Sequence, residues 1–143
     1  MNEMEGKKAF SFKCHKICGG VAEGEALISA DDICFYLADP DTGNIIEKNH
    51  ALEGQSVAGK ILLFPSGKGS SIVQGDGLYM LNKNGTAPKA MIVQRPDTVL
   101  VTGAIIMEIP LVDRLEEGFY KRVEDRDYLK LDAEKGMITL FKK

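Results

Sequence analysis

The chain has 143 residues, 44% of them apolar and 27% charged, with a formal net charge of −3. That length predicts one domain over residues 1–143, and the mild acidity excludes a nucleic-acid binder, whose affinity comes from clustered basic residues meeting phosphates. No run approaches the ~18 apolar residues of a membrane span, and MNEMEGKKAF lacks the apolar centre of a signal peptide, so a cytoplasmic protein that binds neither membrane nor nucleic acid is expected.

Residues 8–18 (KAFSFKCHKIC) alternate as one strand, ended by Gly19-Gly20. Residues 21–29 and 32–38 read as two further strands. Asp39-Pro40-Asp41-Thr42-Gly43 is a turn cluster, because proline presets one dihedral and aspartate bonds its own backbone. Residues 57–64 (VAGKILLF) fit a central strand, followed by a loop over 65–71. Residues 72–83 read as a helix, weakened by Gly75 and Gly77 and stopped at Asn84-Gly85. Residues 89–94 are a short strand and Arg95-Pro96-Asp97 turns the chain. Residues 98–107 (TVLVTGAIIM) fit either a helix or a strand. Residues 109–112 form a strand leading into a charged stretch over 113–127, where Glu124-Asp125-Arg126-Asp127 reads as a solvated turn. Two strands, 128–132 and 137–141, pair around 133–136. Strands dominate, with one or two helices. The expectation is a β-rich α/β domain with an open or barrel-like sheet, not a doubly wound one.

The three cysteines are Cys14, Cys18 and Cys34, an odd count that argues for reduced thiols. With His15 they could supply four zinc ligands. Cys14 and Cys18 share the strand parity of Phe10 and Phe12, which argues instead for buried or half-buried thiols and no metal site. His15 and His50 each read as structural.

The most informative stretch is Gly67-Lys68-Gly69-Ser70-Ser71, between the most apolar strand and a helix. Glycines at 67 and 69 let backbone approach a ligand. Ser70 or Ser71 would cap the helix, whose free N–H groups favour an anion, and Lys68 adds a positive charge. It is not a nucleotide P-loop, which needs glycine, four residues, then Gly-Lys-Ser/Thr. Gly54-Gln55-Ser56-Val57-Ala58-Gly59-Lys60 has that spacing, but it ends in Ile61 and precedes its strand.

Several stretches in order resemble the small subunit, or swivel domain, of aconitase X. They are Gly19-Gly20-Val21-Ala22-Glu23-Gly24-Glu25-Ala26-Leu27, Asp39-Pro40-Asp41-Thr42-Gly43, and His50-Ala51-Leu52-Glu53-Gly54. Val57-Ala58-Gly59-Lys60-Ile61-Leu62, Pro65-Ser66-Gly67-Lys68-Gly69-Ser70-Ser71 and Ala87-Pro88-Lys89-Ala90 follow. Thr102-Gly103-Ala104-Ile105-Ile106 and Ile109-Pro110-Leu111-Val112 complete the set. The chain departs from the family pattern after Ser71, where it reads Ile72-Val73-Gln74-Gly75-Asp76-Gly77, and at Ala51.

The resemblance implies a swivelling β/β/α domain and a larger partner subunit that carries an iron–sulfur cluster. Together they would be a hydro-lyase dehydrating a small hydroxy acid. That acid would be (R)-5-phosphomevalonate, giving trans-anhydromevalonate 5-phosphate in isoprenoid synthesis, or alternatively cis-3-hydroxy-L-proline. The family's proton-accepting serine falls on Ser70. Lys68, Gly69 and Ser71 would lie on the substrate side, with Asp39 and Thr42 as further substrate-side candidates on a loop that could face the partner. A non-catalytic binding or carrier module ranks behind, because it needs an exposed histidine in a glycine-rich loop. A scaffold that kept the fold and lost the chemistry is a third reading.

Overall fold

The structure, a computed structural model, describes residues 7–142, so the signal-peptide reading of residues 1–10 lies mostly outside it. In chain order the strands are β1 Lys8–Lys13, β2 His15–Cys18, β3 Val21–Ile28, β4 Ile61–Phe64, β5 Ala90–Val93, β6 Leu111–Asp113, β7 Tyr128–Asp132 and β8 Met137–Lys142. The helices are α1 Ser71–Lys83, α2 Thr98–Met107 and the four-residue α3 Phe119–Arg122. Among the described residues no helix is long and apolar enough to cross a membrane.

The eight strands form one sheet in the order β1-β8-β7-β3-β4-β5-β6-β2. Its two edge strands, β1 and β2, are separated in the chain by Cys14 alone. A sheet whose opposite edges are one residue apart must curl, and this one forms a half-barrel. The stretch expected as one strand over 8–18 is therefore bent at Cys14. Its first half pairs with β8 and its second with β6. β3 is the other corner: Val21 to Glu25 pair antiparallel with β7, and Ala26 to Ile28 pair parallel with β4.

β4, β5 and β6 run parallel. Parallel neighbours need a crossover, and α1 and α2 provide them. That requirement makes the ambiguous run 98–107 a helix despite its β-branched residues. The Asp97 carboxylate caps it by accepting from the Leu100 N–H at 3.3 Å.

The parallel strands are buried on both faces, which explains their unbroken apolar runs. Leu62, Phe64, Met91, Val93 and Leu111 pack with Leu78 and Leu81 of α1 and Leu100 and Ala104 of α2. Ile61, Leu63, Ile92 and Val112 point the other way, against Leu129, Leu131, Ile138 and Leu140. Two sheet layers and one helix layer result, the β/β/α arrangement the resemblance implied.

Three local expectations are corrected. Residues 32–38 are not a strand but hold a 3-10 turn, Phe35–Leu37. The buried Gln74 side chain takes over the role of a neighbouring strand there. Its Oε1 accepts from the Phe35 N–H at 2.6 Å and its Nε2 donates to the Ile33 carbonyl at 3.0 Å. The strand expected over 57–64 begins only at Ile61, because Lys60 N–H closes a turn onto the Val57 carbonyl. The turn at 124–127 is more than solvated: the Asp125 carboxylate accepts from the Ile28 N–H at 2.7 Å, and Lys142 pairs with Glu124 and Asp127.

Candidate active site

In a parallel sheet, ligands bind beyond the carboxyl ends of the strands. Here that edge holds the loop after β4, residues 65–70, and the loop after β5, residues 94–97. The Pro65 carbonyl accepts from the Gln94 and Arg95 N–H groups at 3.1 and 2.9 Å. On the other side Ile33 N–H donates to the Ser66 carbonyl and Lys68 N–H to the Ile33 carbonyl. Two chain segments, at Ile33 and at Gln94-Arg95, thus hold the glycine-rich loop in one position.

Gly69 sits at φ +104°, a region that side chains avoid, and a Cβ there would lie 3.0 Å from the buried Cys34 Sγ. Its turn aims Ser70 at the start of α1. Ser70 is the N-cap: its Oγ accepts from the Val73 N–H at 3.3 Å. Ser70 and Ser71 are exposed. None of the N–H groups of Gly69, Ser70, Ser71 and Ile72 donates to another part of the chain among the described residues. Four consecutive donors at a helix start, with the positive end of its dipole, attract an anion. The start of α2 differs, because the Asp97 carboxylate already occupies it. Gly67 departs from expectation: a Cβ there would meet Gln74, Asp97 and Leu100, so its small size serves packing and not a ligand.

The Lys68 ammonium lies 2.7 Å from a Glu47 carboxylate oxygen. Glu47 arrives on a segment pinned by His50, which is buried. Its Nε2 donates to the Asp32 carbonyl at 2.8 Å and its Nδ1 accepts from the Leu52 N–H at 2.9 Å. Those two bonds define a neutral tautomer and a structural role. Arg95 pairs with Asp32 at 3.4 Å on the same edge.

The structure therefore brings Lys68, Gly69, Ser70 and Ser71 together. It does not bring Asp39 and Thr42 to them. Asp39 Oδ1 accepts from the Asp41 N–H, and Thr42 Oγ1 from the Asn44 N–H. The Pro40 carbonyl accepts from Thr86 Oγ1, beyond the far end of α1. A helix of 13 residues puts roughly 20 Å between that turn and Ser70. The sequence reading missed Glu47 and Gln74. Gln74 had a signal, since it lies four residues after Ser70 on the same helix face.

The cysteines do not fit an iron–sulfur cluster. Cys14 lies at the bend between the edge strands, the Cys18 thiol is 3.7 Å from the Ala104 carbonyl, and Cys34 is buried under Gly69. Among the described residues no three histidine, cysteine or acidic groups converge as metal ligands. Burial, helped by nearby Asp113, pushes the Cys14 thiol from its ordinary 9.0 up to about 11, so it resists becoming the thiolate a cluster needs. His15 is engaged elsewhere, with its Nδ1 2.7 Å from the buried Asp113 carboxylate.

The raised thiol also sets an alkaline limit. A proton held more tightly in the folded state stabilises the fold fully below the unfolded value, and that contribution is lost as pH rises through the folded one. The melting temperature is expected to fall between pH 9 and pH 11, and to fall less in Cys14→Ala. Tyr120, pushed up to about 12 by burial and then Asp113, extends the loss to higher pH. An unchanged slope in Cys14→Ala would show that Cys14 is not the group responsible.

A cavity of about 710 Å³ lies at the opposite edge, lined by Gly20, Val21, Lys89, Pro110 and Lys130 among others. Another, of about 490 Å³, is lined by Glu25, Lys60 and Asp125 among others. Neither includes the Ser70 loop, whereas a small-molecule site normally encloses most of its ligand. The loop presents its chemistry on an open edge.

Comparison with known proteins gives that edge a context. The aconitase X swivel domain family model matches residues 11–140. A Methanocella arvoryzae protein named phosphomevalonate dehydratase small subunit is 48% identical over 129 residues, 90% of this chain and 97% of that one. A Methanosarcina acetivorans protein of the same name is 46% identical over 131 residues, 91% of this chain and 90% of that one. The crystal structure of Thermococcus kodakaraensis aconitase X in its holo-form superposes with a TM-score of 0.82 at 39% identity, covering 92% of this chain and 98% of that one.

Proposed function

This chain belongs to the aconitase X swivel domain family, and from that premise we propose that residues 1–143 act as the small subunit of a phosphomevalonate dehydratase, a hydro-lyase completed by a larger subunit. The relatives' names carry the reaction and substrate. The Ser70 geometry supports the role of this chain. A hydroxyl stands exposed at a helix start, beside Lys68 and four N–H groups that have no acceptor elsewhere among the described residues. We place the iron–sulfur cluster on the larger subunit, because the three thiols here do not fit one.

The dehydration takes a proton from the carbon next to the substrate carboxylate. The electron pair becomes the new C=C bond, and hydroxide leaves from the following carbon; with the proton taken up by Ser70 it makes the one water lost. Ser70 Oγ, as its alkoxide, accepts the first proton. As that proton leaves, negative charge spreads onto the adjacent carboxylate. The N–H groups of Gly69 and Ser71 are placed to stabilise that carboxylate and the alkoxide, and the Lys68 ammonium holds the substrate's anionic group in substrate and transition state alike. Docking against the larger subunit supplies the wall that excludes water. Asp39 and Thr42 stay with their turn, bonded to the Asp41 and Asn44 N–H groups.

The test is reconstitution with the larger subunit under anaerobic conditions, followed by mass analysis of the products of (R)-5-phosphomevalonate and cis-3-hydroxy-L-proline. The expected result is loss of one water from phosphomevalonate by the complex and by neither subunit alone. Turnover of the proline derivative only would overturn the substrate, and turnover by the small subunit alone would overturn the two-subunit site.

A further inference from the structure

Lys68 is held at both ends. Its backbone N–H donates to the Ile33 carbonyl at 3.2 Å, and its ammonium lies 2.7 Å from Glu47 Oε2. The pair is half-buried, with the side chains 41% and 26% exposed, so salt screens it less than an open surface pair. Glu47 has its own supports. The preceding Ile46 N–H donates to the Leu37 carbonyl, and Ala51 N–H donates to the Asp31 carboxylate at 2.8 Å. His50 anchors the same segment to the Asp32 carbonyl.

An ammonium carries three N–H donors and no acceptor. Glu47 takes one of them, and no other partner of the Lys68 ammonium is found among the described residues. Two donors remain for an anionic ligand arriving at the start of α1. A lysine tip on a four-carbon stem is otherwise mobile, and ordering it on binding weakens affinity. A carboxylate that holds the tip beforehand removes that cost without occupying the remaining donors.

We propose that Glu47 is a positioning residue: it aims the Lys68 ammonium at the substrate's anionic group beside Ser70, through the 2.7 Å pair it forms with Lys68. The proposal rests on the substrate-side role of Lys68 given above. It assigns Glu47 no contact with the reacting atoms, so its loss acts on KM and leaves the chemical step largely intact.

The experiment measures kcat and KM for (R)-5-phosphomevalonate in the reconstituted complex, for Glu47→Ala, Glu47→Gln, Lys68→Ala and the Glu47→Ala/Lys68→Ala pair. Size-exclusion elution and thermal melts confirm that each variant assembles. Glu47→Ala is expected to raise KM about tenfold while kcat changes less than about threefold. Glu47→Gln, whose amide oxygen still accepts from the ammonium, is expected to stay within about threefold of the wild-type KM. Lys68→Ala raises KM at least as much as Glu47→Ala, and the double variant matches Lys68→Ala alone.

An unchanged or lowered KM in Glu47→Ala, with Lys68→Ala impaired, overturns the positioning role and leaves Lys68 on the substrate. A further rise in KM when Glu47→Ala is added to Lys68→Ala also overturns it, since Glu47 then acts by another route. An unaffected Lys68→Ala removes the substrate-side role of Lys68 and the inference with it. A wild-type complex inactive on phosphomevalonate identifies a failure of the functional reading itself.

Discussion

Replacing Ser70 by alanine in the assembled enzyme is expected to lower kcat by a factor of about 10²–10⁴, the range for loss of one general base. The physical case for a serine base depends on how much its alkoxide is stabilised. Ionising a hydroxyl about as weakly acidic as water at pH 7 costs about 12 kcal/mol. The start of α1 offers at most about 2 kcal/mol through its dipole, and a charge-assisted bond from the Val73 N–H about 1.5–3 more. The exposed loop of the small subunit therefore provides less than half of what is needed. The remainder must come from the enclosed complex, where the N–H groups of the loop act in a drier site. The isolated subunit, lacking that enclosure, is expected to be inactive.

Ser70 also caps α1, so its loss is expected to cost about 1 kcal/mol of stability, or roughly 3 °C in melting temperature for a chain of this size. Ser70→Gly separates the two roles. Glycine caps almost as well as serine but has no hydroxyl, so this variant is expected to melt within about 1 °C of wild type and to be as inactive as Ser70→Ala. Either variant retaining more than about a tenth of wild-type kcat in the complex would remove Ser70 from the role of base.

The largest expected effect on stability lies seven residues further along α1. A Cβ at Gly77 would collide with the backbone of Phe35 and Tyr36, where the Phe35–Leu37 turn lies against the helix. Backbone pinned by Gln74 cannot yield as a flexible side chain would. Gly77→Ala is expected to lose about 3 kcal/mol, the upper part of the usual overpacking range, because the helix-propensity gain of about 1 kcal/mol does not offset the collision. That corresponds to a fall of about 10 °C. Gly75, two residues away, has nothing within 4 Å of a built Cβ. Gly75→Ala is expected to gain close to 1 kcal/mol and to melt about 3 °C higher. If thermal melts show both variants stabilised, the turn is not held against α1 in the way described.

These two glycines mark where a reading of the chain alone stops. Both weaken a helix equally by propensity, and only the packing of the Phe35–Leu37 turn distinguishes them. Elements set by neighbours in sequence were legible. The strands Tyr128–Asp132 and Met137–Lys142 fall within a residue of expectation, as does the helix Ser71–Lys83, because alternation, a serine cap and an Asn-Gly stop all act over a few residues. The glycine-serine loop was legible for the same reason, together with a serine cap at Ser70 or Ser71 and Lys68 beside it; the structure gives the cap to Ser70.

Tertiary structure decided whatever depends on partners distant in the chain. Residues 8–18 keep their strand alternation, yet they bend at Cys14 because the curled sheet gives the two halves different neighbours, β8 and β6. Residues 32–38 carry a strand-like pattern but meet the Gln74 side chain, about 40 residues later, in place of a strand edge. Asp39 and Thr42 have suitable groups for substrate, but α1 carries their turn to its far end. Glu47 reaches Lys68 across 21 residues of chain only because His50 ties its segment to Asp32. Local chemistry thus specified the reactive loop, while the topology of the sheet determined which distant groups stand beside it.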